Sequence, residues 1–213
     1  MFTGLITAVG RIAQVQALHA GSNSGSRVVV QAPPEWLQGV ALGDSICISG
    51  ACMTVVELRP PSFAFDVSTE SLARTTGIDV PGALVNLEQS LTLATKLGGH
   101  LVTGHVDGIG RVEDFVPVGE SWHLAVRVPA ELAKFFAYKG SITVNGVSLT
   151  VNRVVDEAQG SAVVHVNLIP HTLQNTNLHT LQAGCTVNLE VDVIARYVQR
   201  MLGAQPGHEA QSL

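Results

Sequence analysis

The sequence repeats itself once, and this duplication limits the fold more than any other feature of the 213 residues. Four blocks recur in the same order, about 100 residues apart. The matched segments include Thr3-Gly4 with Thr103-Gly104, Ser45-Ile46 with Ser141-Ile142, Leu72 with Leu173, and 85–88 with 187–190. Chance similarity would not preserve this order, so we interpret the two halves as copies of one folding unit.

Each half contains short runs of β-branched and aromatic residues separated by glycine-bearing turns. Examples are the segments 27–30 and 63–67 in the first half, and 123–128 and 162–167 in the second. This spacing is typical of small β-barrels or β-sandwiches. The sequence therefore predicts an all-β protein with two similar domains, at residues 1–100 and 101–191.

After Asp192 the hydrophobic pattern changes to the period of a helix. One face of that helix carries Ile194, Tyr197, Val198, Met201 and Leu202. Asp192 is placed to cap its start and Gly203 to end it. So short a helix needs a partner for its apolar face. We interpret 192–203 as a subunit contact, with packing on its own chain as the alternative, and 204–213 as a flexible tail.

Composition excludes several classes of protein. With 46% hydrophobic and 14% charged residues, the chain is too apolar to be disordered. A net charge of −5 without a basic cluster makes nucleic acid an unexpected partner. No apolar run suits a membrane helix, and the amino terminus does not resemble a signal peptide. Three cysteines do not form a disulfide framework, so we predict a cytoplasmic protein.

The common signatures of catalytic and cofactor sites are absent from the sequence. It has no phosphate loop, no His-Glu-x-x-His, no Cys-x-x-Cys and no Gly-x-Ser-x-Gly. His100 and His105 would lie on opposite faces of an extended segment and make a poor metal pair, as do Cys47 and Cys52. We therefore expect catalysis without a metal.

Two polar clusters recur at matching points of the halves. They are 3–5 with 103–105, and 50–54 with 146–150. On a strand, Cys52 and Thr54 share one face, and Ser148 and Thr150 do the same. Small polar groups beside a glycine let a flat polar ring approach the backbone. Ordinary hydrogen bonding between strands is the alternative, but recurrence in both halves favours a pair of binding pockets.

Several longer motifs carry a family resemblance. They are Met1–Gly4, 99–108, Lys139–Ile142, Asn145–Val151, Ile169–Thr172 and Asn188–Asp192. Together they resemble the α-type riboflavin synthases, a family of lumazine-binding repeats, from residue 1 to about residue 202. The resemblance implies two tandem six-stranded antiparallel Greek-key barrels, followed by a C-terminal α-helix that holds a homotrimer.

The resemblance also implies a reaction. Two molecules of 6,7-dimethyl-8-ribityllumazine exchange a four-carbon unit and give riboflavin and 5-amino-6-(ribitylamino)uracil, without cofactor or metal. One substrate molecule binds in each barrel, and the pockets face each other across a subunit boundary. Whether a lumazine synthase capsid is a further partner is left open by the sequence.

The substrate-binding residues follow from the family's motifs. The first pocket is expected to contain Gly4, Leu5, Ile6, Cys52, Met53, Thr54, Asp66, Val67, Ser68, Thr69, Glu70 and Ser71. The second is expected to contain Gly104, His105, Val106, Lys139, Ser148, Leu149, Thr150, Asn167, Leu168, Ile169, Pro170, His171 and Thr172.

Five of the implied residues receive roles as hypotheses. Ser148 and Cys52 would hydrogen-bond to the ring, or add to it, near the reacting carbon. His105 would move protons near neutral pH. Lys139 would orient a carbonyl or a ribityl hydroxyl, with a solvated surface charge as its alternative. Asp192 would assist proton transfer, with helix capping as its alternative.

Two departures from the family pattern are both expected in the first pocket. Ser49 stands where the family commonly has Asn, and residues 68–71 read Ser-Thr-Glu-Ser where it often has Met-Pro-Glu-Thr.

The competing functions are a non-catalytic antenna protein that binds lumazine or flavin, a flavin-binding barrel of a reductase, and a trimeric interaction module. His105, Ser148, Thr150 and Asp192 are all present, which favours the enzyme over the antenna protein. The sequence has no dinucleotide-binding Gly-x-Gly-x-x-Gly after a strand, which disfavours the reductase. An interaction module would leave the paired polar clusters unexplained.

Overall fold

A computed structural model describes residues 1–19 and 24–203, and its strands form two closed barrels. Barrel 1 consists of β1 (Ala8–Ala17), β2 (Ser26–Gln31), β3 (Ser45–Ile48), β4 (Ala51–Arg59), β5 (Ser62–Val67) and β6 (Leu84–Gln89). Barrel 2 consists of β7 (Gly108–Val118), β8 (Ser121–Val128), β9 (Ser141–Val144), β10 (Val147–Asp156), β11 (Ala162–Leu168) and β12 (Thr186–Val191). The helices are α1 (Thr69–Arg74), α2 (Ala130–Ala133), α3 (Pro170–Asn175) and α4 (Val193–Gly203), with a 3-10 turn at Asn177–Thr180.

Both barrels have the same strand order. It runs β1-β2-β5-β4-β3-β6 in barrel 1 and β7-β8-β11-β10-β9-β12 in barrel 2, with antiparallel pairing throughout. In each barrel the sixth strand returns beside the third, which is the Greek-key arrangement. The predicted pair of six-stranded antiparallel barrels is therefore confirmed.

Each barrel encloses its own hydrophobic core. Val28, Val30 and Phe65 are fully buried in barrel 1, and Val126, Val164 and Leu189 are buried in barrel 2. Side chains alternate between the inside and the outside of a strand, so a barrel this small is filled by its inward-facing residues. Any binding pocket must therefore lie at the ends of the barrels or between them, because their interiors are filled.

The barrels meet through the tight turns of two equivalent hairpins. Ser49-Gly50 connects β3 to β4, Asn145-Gly146 connects β9 to β10, and all four residues have positive φ. A Cβ on Gly146 would lie 2.8 Å from the Gly50 nitrogen, so this contact requires glycine. Ser49 was expected in the first pocket, and that prediction is wrong. It is buried at the junction, where its hydroxyl accepts a hydrogen bond from the Asn86 backbone N–H at 3.1 Å.

The C-terminal helix α4 begins directly after Asp192, whose carboxylate accepts a hydrogen bond from the Ile194 backbone N–H at 2.9 Å. The predicted cap is therefore present. The five apolar residues of its face are 49–83% exposed, so the described part of the chain leaves that face open. An ion pair between Arg196 and the buried Asp107 ties the helix to barrel 2. The expected flexible tail, 204–213, lies outside the described residues.

Among residues 1–19 and 24–203, no helix combines the length and the apolar character needed to cross a bilayer.

Candidate functional site

Each Thr-Gly segment lies against the barrel formed by the other half of the chain. The Gly104 carbonyl accepts a hydrogen bond from the Cys52 backbone N–H at 2.7 Å, and the Gly4 carbonyl accepts one from the Ser148 backbone N–H at 2.8 Å. Val106 packs against the core of barrel 1 and Ile6 against that of barrel 2. The grouping expected from the sequence, with 4–6 in the first pocket and 104–106 in the second, is therefore wrong.

This crossing of the Thr-Gly segments to the opposite barrels follows from the pairing of the two segments that precede β1 and β7. Phe2 and Val102 form an antiparallel bridge, with backbone N···O distances of 2.8 and 3.1 Å. The two segments therefore run side by side, and each continues onto the barrel of the other half. Each candidate site thus combines residues from both halves of the chain.

Glycine is required at positions 4 and 104. Gly4 has φ +76° and Gly104 has φ +78°. A Cβ at Gly4 would lie 2.6 Å from the Ser148 Cβ, and one at Gly104 would lie 2.7 Å from the Cys52 Cβ. Any side chain would therefore push the segment away from the strand that carries the polar group.

A buried glutamate holds each Thr-Gly segment. The Glu88 carboxylate accepts hydrogen bonds from the Thr3 N–H (2.7 Å), the Thr3 hydroxyl (2.6 Å) and the Gly4 N–H (3.0 Å). Glu190 makes the same three bonds to Thr103 and Gly104, at 2.6, 2.7 and 3.0 Å. Burial raises the pKa of both carboxyls, and the hydrogen bonds from the segments oppose this rise. Sequence reasoning did not assign either glutamate, although both end the repeated Val-Asn-Leu-Glu block.

The first candidate site is a cavity of about 300 Å³ at the end of barrel 1. Its lining consists of Ala51, Cys52, Met53, Glu70, Ser71, Arg74, Thr75, Gly104, His105 and Val106. Cys52 and His105 therefore face one cavity, although they come from different halves. Arg74 is a lining residue that the sequence analysis did not include.

Helix α1 forms one wall of this cavity. It begins after Ser68, whose hydroxyl accepts a hydrogen bond from the Ser71 backbone N–H at 3.1 Å. The departure from the family pattern at 68–71 thus supplies a standard N-cap and places Glu70 and Ser71 at the cavity.

Two other residues expected in the first pocket have their side chains elsewhere. The Asp66 carboxylate pairs with Arg27 at 2.7 Å, and this hydrogen bond lowers the pKa of Asp66. Val67 is buried in the core of barrel 1. Thr54, by contrast, is exposed on β4, two residues after Cys52 and on the same face of the strand.

The second candidate site contains a hydrogen-bonded chain of three side chains. His100 Nδ1 lies 2.7 Å from Ser148 Oγ, and His100 Nε2 lies 3.2 Å from Thr143 Oγ1. Burial lowers the pKa of His100, and the negative charge of Asp192 opposes this effect. The imidazole is therefore neutral at pH 7 and can exchange a proton with the Ser148 hydroxyl. The sequence motifs give His100 no role beyond that of a poor metal ligand.

Other residues expected in the second pocket are dispersed. Ile169 and His171 are exposed at the start of α3, in the position that α1 has in barrel 1. The Asn167 side chain accepts a hydrogen bond from Ser121 at 2.9 Å, and Leu168 is fully buried in the core. Lys139 is exposed, with its ammonium group 5.2 Å from the centre of the Tyr138 ring.

In the part of the chain that the structure describes, no three His, Cys, Asp or Glu side chains are grouped so that they could hold a metal ion.

Comparison with known proteins agrees with this duplicated architecture. A family model described as "Lumazine binding domain" matches the chain twice, at residues 3–90 and 103–192. Proteins named riboflavin synthase from Photobacterium phosphoreum and Actinobacillus pleuropneumoniae are 38% and 37% identical to it, over all of this chain and 94% of theirs. The one from Mycobacterium tuberculosis is 39% identical, over 95% of this chain and 98% of its own.

Solved structures of LumP share the fold. The complexes with 6,7-dimethyl-8-(1'-D-ribityl) lumazine and with flavin mononucleotide have TM-scores of 0.77 and 0.76. Their sequence identities are 24% and 23%, over 90% of this chain and 99% of LumP. From its two matched repeats and its identity to full-length relatives, the chain belongs to the riboflavin synthase family of lumazine-binding proteins.

Proposed function

We propose that this chain is a riboflavin synthase. It converts two molecules of 6,7-dimethyl-8-ribityllumazine into riboflavin and 5-amino-6-(ribitylamino)uracil by transfer of a four-carbon unit. The observation that carries the proposal is the pair of equivalently built sites, each with a Thr-Gly segment held by a buried glutamate against a small polar side chain. Two identical reactants require two similar pockets, and the duplicated fold supplies them.

Orientation is the main contribution of the protein. The 7-methyl proton of the lumazine is acidic because the heterocycle delocalises the resulting anion, so a moderate base suffices. Holding two reactants in alignment can be equivalent to an effective concentration of about 10⁵ M or more. The clamped Thr-Gly segments suit this task, since glycine lets the backbone approach a flat ring closely.

The polar groups of the two sites supply proton transfer. In the second site, Ser148 hydrogen-bonds to the substrate and exchanges a proton with neutral His100, which lies 2.7 Å away. In the first site, Cys52 contacts the ring and His105 moves protons across the same cavity. Asp192 acts through its charge on His100 while it caps α4.

The assembly is a homotrimer in which α4 of one chain contacts a neighbouring copy. Support comes from its face of five apolar residues, which are 49–83% exposed. The first site of one chain then meets the second site of its neighbour, and the reaction proceeds between them.

The reaction takes place in the cytoplasm. All three cysteines are free thiols, as is usual in a reducing compartment. Association with a lumazine synthase capsid stays a prediction that co-sedimentation with purified capsids tests.

The deciding experiment uses the purified chain and 6,7-dimethyl-8-ribityllumazine alone, followed by the absorbance of riboflavin. Turnover without any added cofactor is the expected result. Tight binding without product would identify an antenna protein instead, and no binding would leave an interaction module. The antenna alternative has weaker support, because the relatives named riboflavin synthase are 37–39% identical to this chain and LumP is 23–24% identical.

A further inference from the structure

Two cysteines face each other across the β3–β4 hairpin of barrel 1. Cys47 and Cys52 are register partners, one step beyond the pair Ile48 and Ala51 that flanks the turn. The Cys52 N–H donates to Gly104 rather than to Cys47, which marks a non-hydrogen-bonded pair. In such a pair the Cα atoms are about 4.5 Å apart, and both side chains project from the same face.

This geometry falls within the range of a disulfide bond. Disulfides join residues whose Cα atoms are about 4.4–6.8 Å apart, so the pair lies at the short end. Both cysteines also belong to one hydrophobic cluster with Phe2 and Val102, which brings the thiols into the same small space.

The pair is specific to barrel 1. The positions equivalent to Cys47 and Cys52 in barrel 2 are occupied by Thr143 and Ser148, which cannot form such a bond. The third cysteine, Cys185, packs against the core of barrel 2.

The two thiols differ in access. Cys52 is partly exposed and lines the cavity of the first site, whereas Cys47 is 1% exposed. Burial raises the pKa of the Cys47 thiol, so it stays protonated and does not react with a solute first. An oxidant that enters the cavity therefore meets Cys52, with Cys47 directly behind it.

We propose that the β3–β4 hairpin is a peroxide-sensitive modification site, where Cys47 and Cys52 form a reversible disulfide that disables the first site. The Cys52 sulfur first attacks hydrogen peroxide, gives up its proton and becomes a sulfenic acid, with release of one water. The Cys47 sulfur then loses its proton, attacks the Cys52 sulfur and releases a second water. Two thiols thus lose two electrons to one peroxide, and a dithiol reverses the change.

The consequence for catalysis rests on the proposed function. Once bonded to Cys47, the Cys52 sulfur can no longer contact a ring in the cavity that it shares with His105. Formation of the bond itself does not depend on any activity.

The test treats the full chain with hydrogen peroxide, removes the peroxide, alkylates the free thiols in denaturant so that buried Cys47 is reached, and analyses tryptic peptides by mass spectrometry. Cys47 and Cys52 lie between Arg27 and Arg74, the next cleavable site because Arg59 precedes Pro60, so one peptide contains both and no other cysteine. We expect this peptide to lose two hydrogen atoms and to resist alkylation, while Cys185 is alkylated. Dithiothreitol should restore both thiols and any lost turnover.

The matched variant is Cys47→Thr, which places the barrel 2 residue at this position, with Cys47→Ala as a second choice if it folds poorly. Excess peroxide should drive its Cys52 to sulfinic acid, with loss of turnover that dithiothreitol does not reverse. Cys185→Ser should respond like the unaltered chain.

Full alkylation of Cys47 and Cys52 after peroxide would overturn the proposal, and so would equal recovery of Cys47→Thr. Failure of the proposed function would instead appear as no turnover before peroxide, with the mass result intact.

Discussion

Both barrels hold a Thr-Gly segment through a buried glutamate, an arrangement that we call the clamp, but different polar side chains lie beside the two segments. Glu88 and Glu190 hold equivalent Thr-Gly segments with nearly equal distances, but barrel 2 presents Ser148 backed by His100, while barrel 1 presents Cys52 backed by Cys47. The part that the two halves share fixes a backbone position, and the part in which they differ is where we propose that proton transfer takes place. Two identical reactants that become different products need sites with different polar groups, because one molecule must donate the four-carbon unit that the other accepts.

The largest expected effects come from removing the polar groups themselves. Ser148→Ala and His105→Ala should each lower turnover by about 100-fold or more, because each removes a proton-transfer group. The His105 side chain is exposed, so the midpoint of thermal unfolding should hardly change in His105→Ala. In Ser148→Ala the midpoint should fall modestly, because buried His100 loses a hydrogen-bond partner. Steady-state turnover and circular dichroism measure the two effects. If neither change slows the reaction, the site assignment is wrong even if the chain is a riboflavin synthase.

A second pair of variants tests whether the clamps are equivalent. Gly4→Ala and Gly104→Ala should each lower the free energy of unfolding by about 2 kcal/mol, because a Cβ would be forced against Ser148 or Cys52 at positive φ. Denaturant titration measures the change. Gly43→Ala is the control, since φ is also positive there but nothing lies within 4 Å of an added Cβ. Equal losses at all three positions would mean that backbone strain alone is responsible.

Substitution of His100 tests the hydrogen bond between His100 and Ser148, which distinguishes barrel 2 from barrel 1. His100→Gln should lower turnover by about tenfold, because it removes the proton acceptor of Ser148 but keeps a hydrogen-bonding side chain. His179→Gln is the matched control, since that imidazole bonds to a backbone carbonyl in the 3-10 turn. A similar loss in both variants would contradict a specific role for His100.

The pH dependence follows from the lowered pKa of His100. Its imidazole should stay neutral somewhat below pH 6.5, so the acid limb of turnover should lie there and disappear in His100→Gln. The unfolded chain binds this proton first as pH falls. The stability contributed by a neutral His100 is therefore present above pH 6.5 and lost as pH falls through the lowered pKa. An acid limb that persists unchanged in His100→Gln would assign it to another group.

The smallest expected effect concerns the junction between the barrels. At two equivalent pairs of positions there, one half of the chain has the larger side chain where the other has the smaller one. The Asn177 amide nitrogen lies 3.4 Å from the hydroxyl of the short Ser49 side chain, and the repeat places the longer Asn145 and the shorter Thr76 at the equivalent positions of the other halves. Ser49→Asn should therefore cost about 1 kcal/mol through overpacking, although asparagine suits positive φ better than serine. Adding Asn177→Thr should recover this loss, which a double-mutant cycle measures. A single variant more stable than the parent would contradict the size exchange.

Local features of the protein followed well from the sequence. The duplication, the β-rich halves, the Asp192 cap and the start of α4 all depend on residues close together in the chain, so period and spacing were sufficient to predict them. Prediction succeeded least at the junction. Ser49 was expected in the first pocket as one of the two departures from the family pattern, but the hairpin turn directs its side chain into the junction, whereas Cys52 lines the cavity.

The sequence by itself determined that there are two copies of one β-rich folding unit, because periodicity and order are properties of the chain, while closure of each unit into a barrel was implied by the family resemblance. Only the tertiary structure decided which copy each Thr-Gly segment covers and which histidine backs Ser148. Both outcomes depend on contacts between segments about 50 to 150 residues apart. In a duplicated chain every such segment has two chemically similar partners, and only the pairing of Phe2 with Val102 and the packing around it select one.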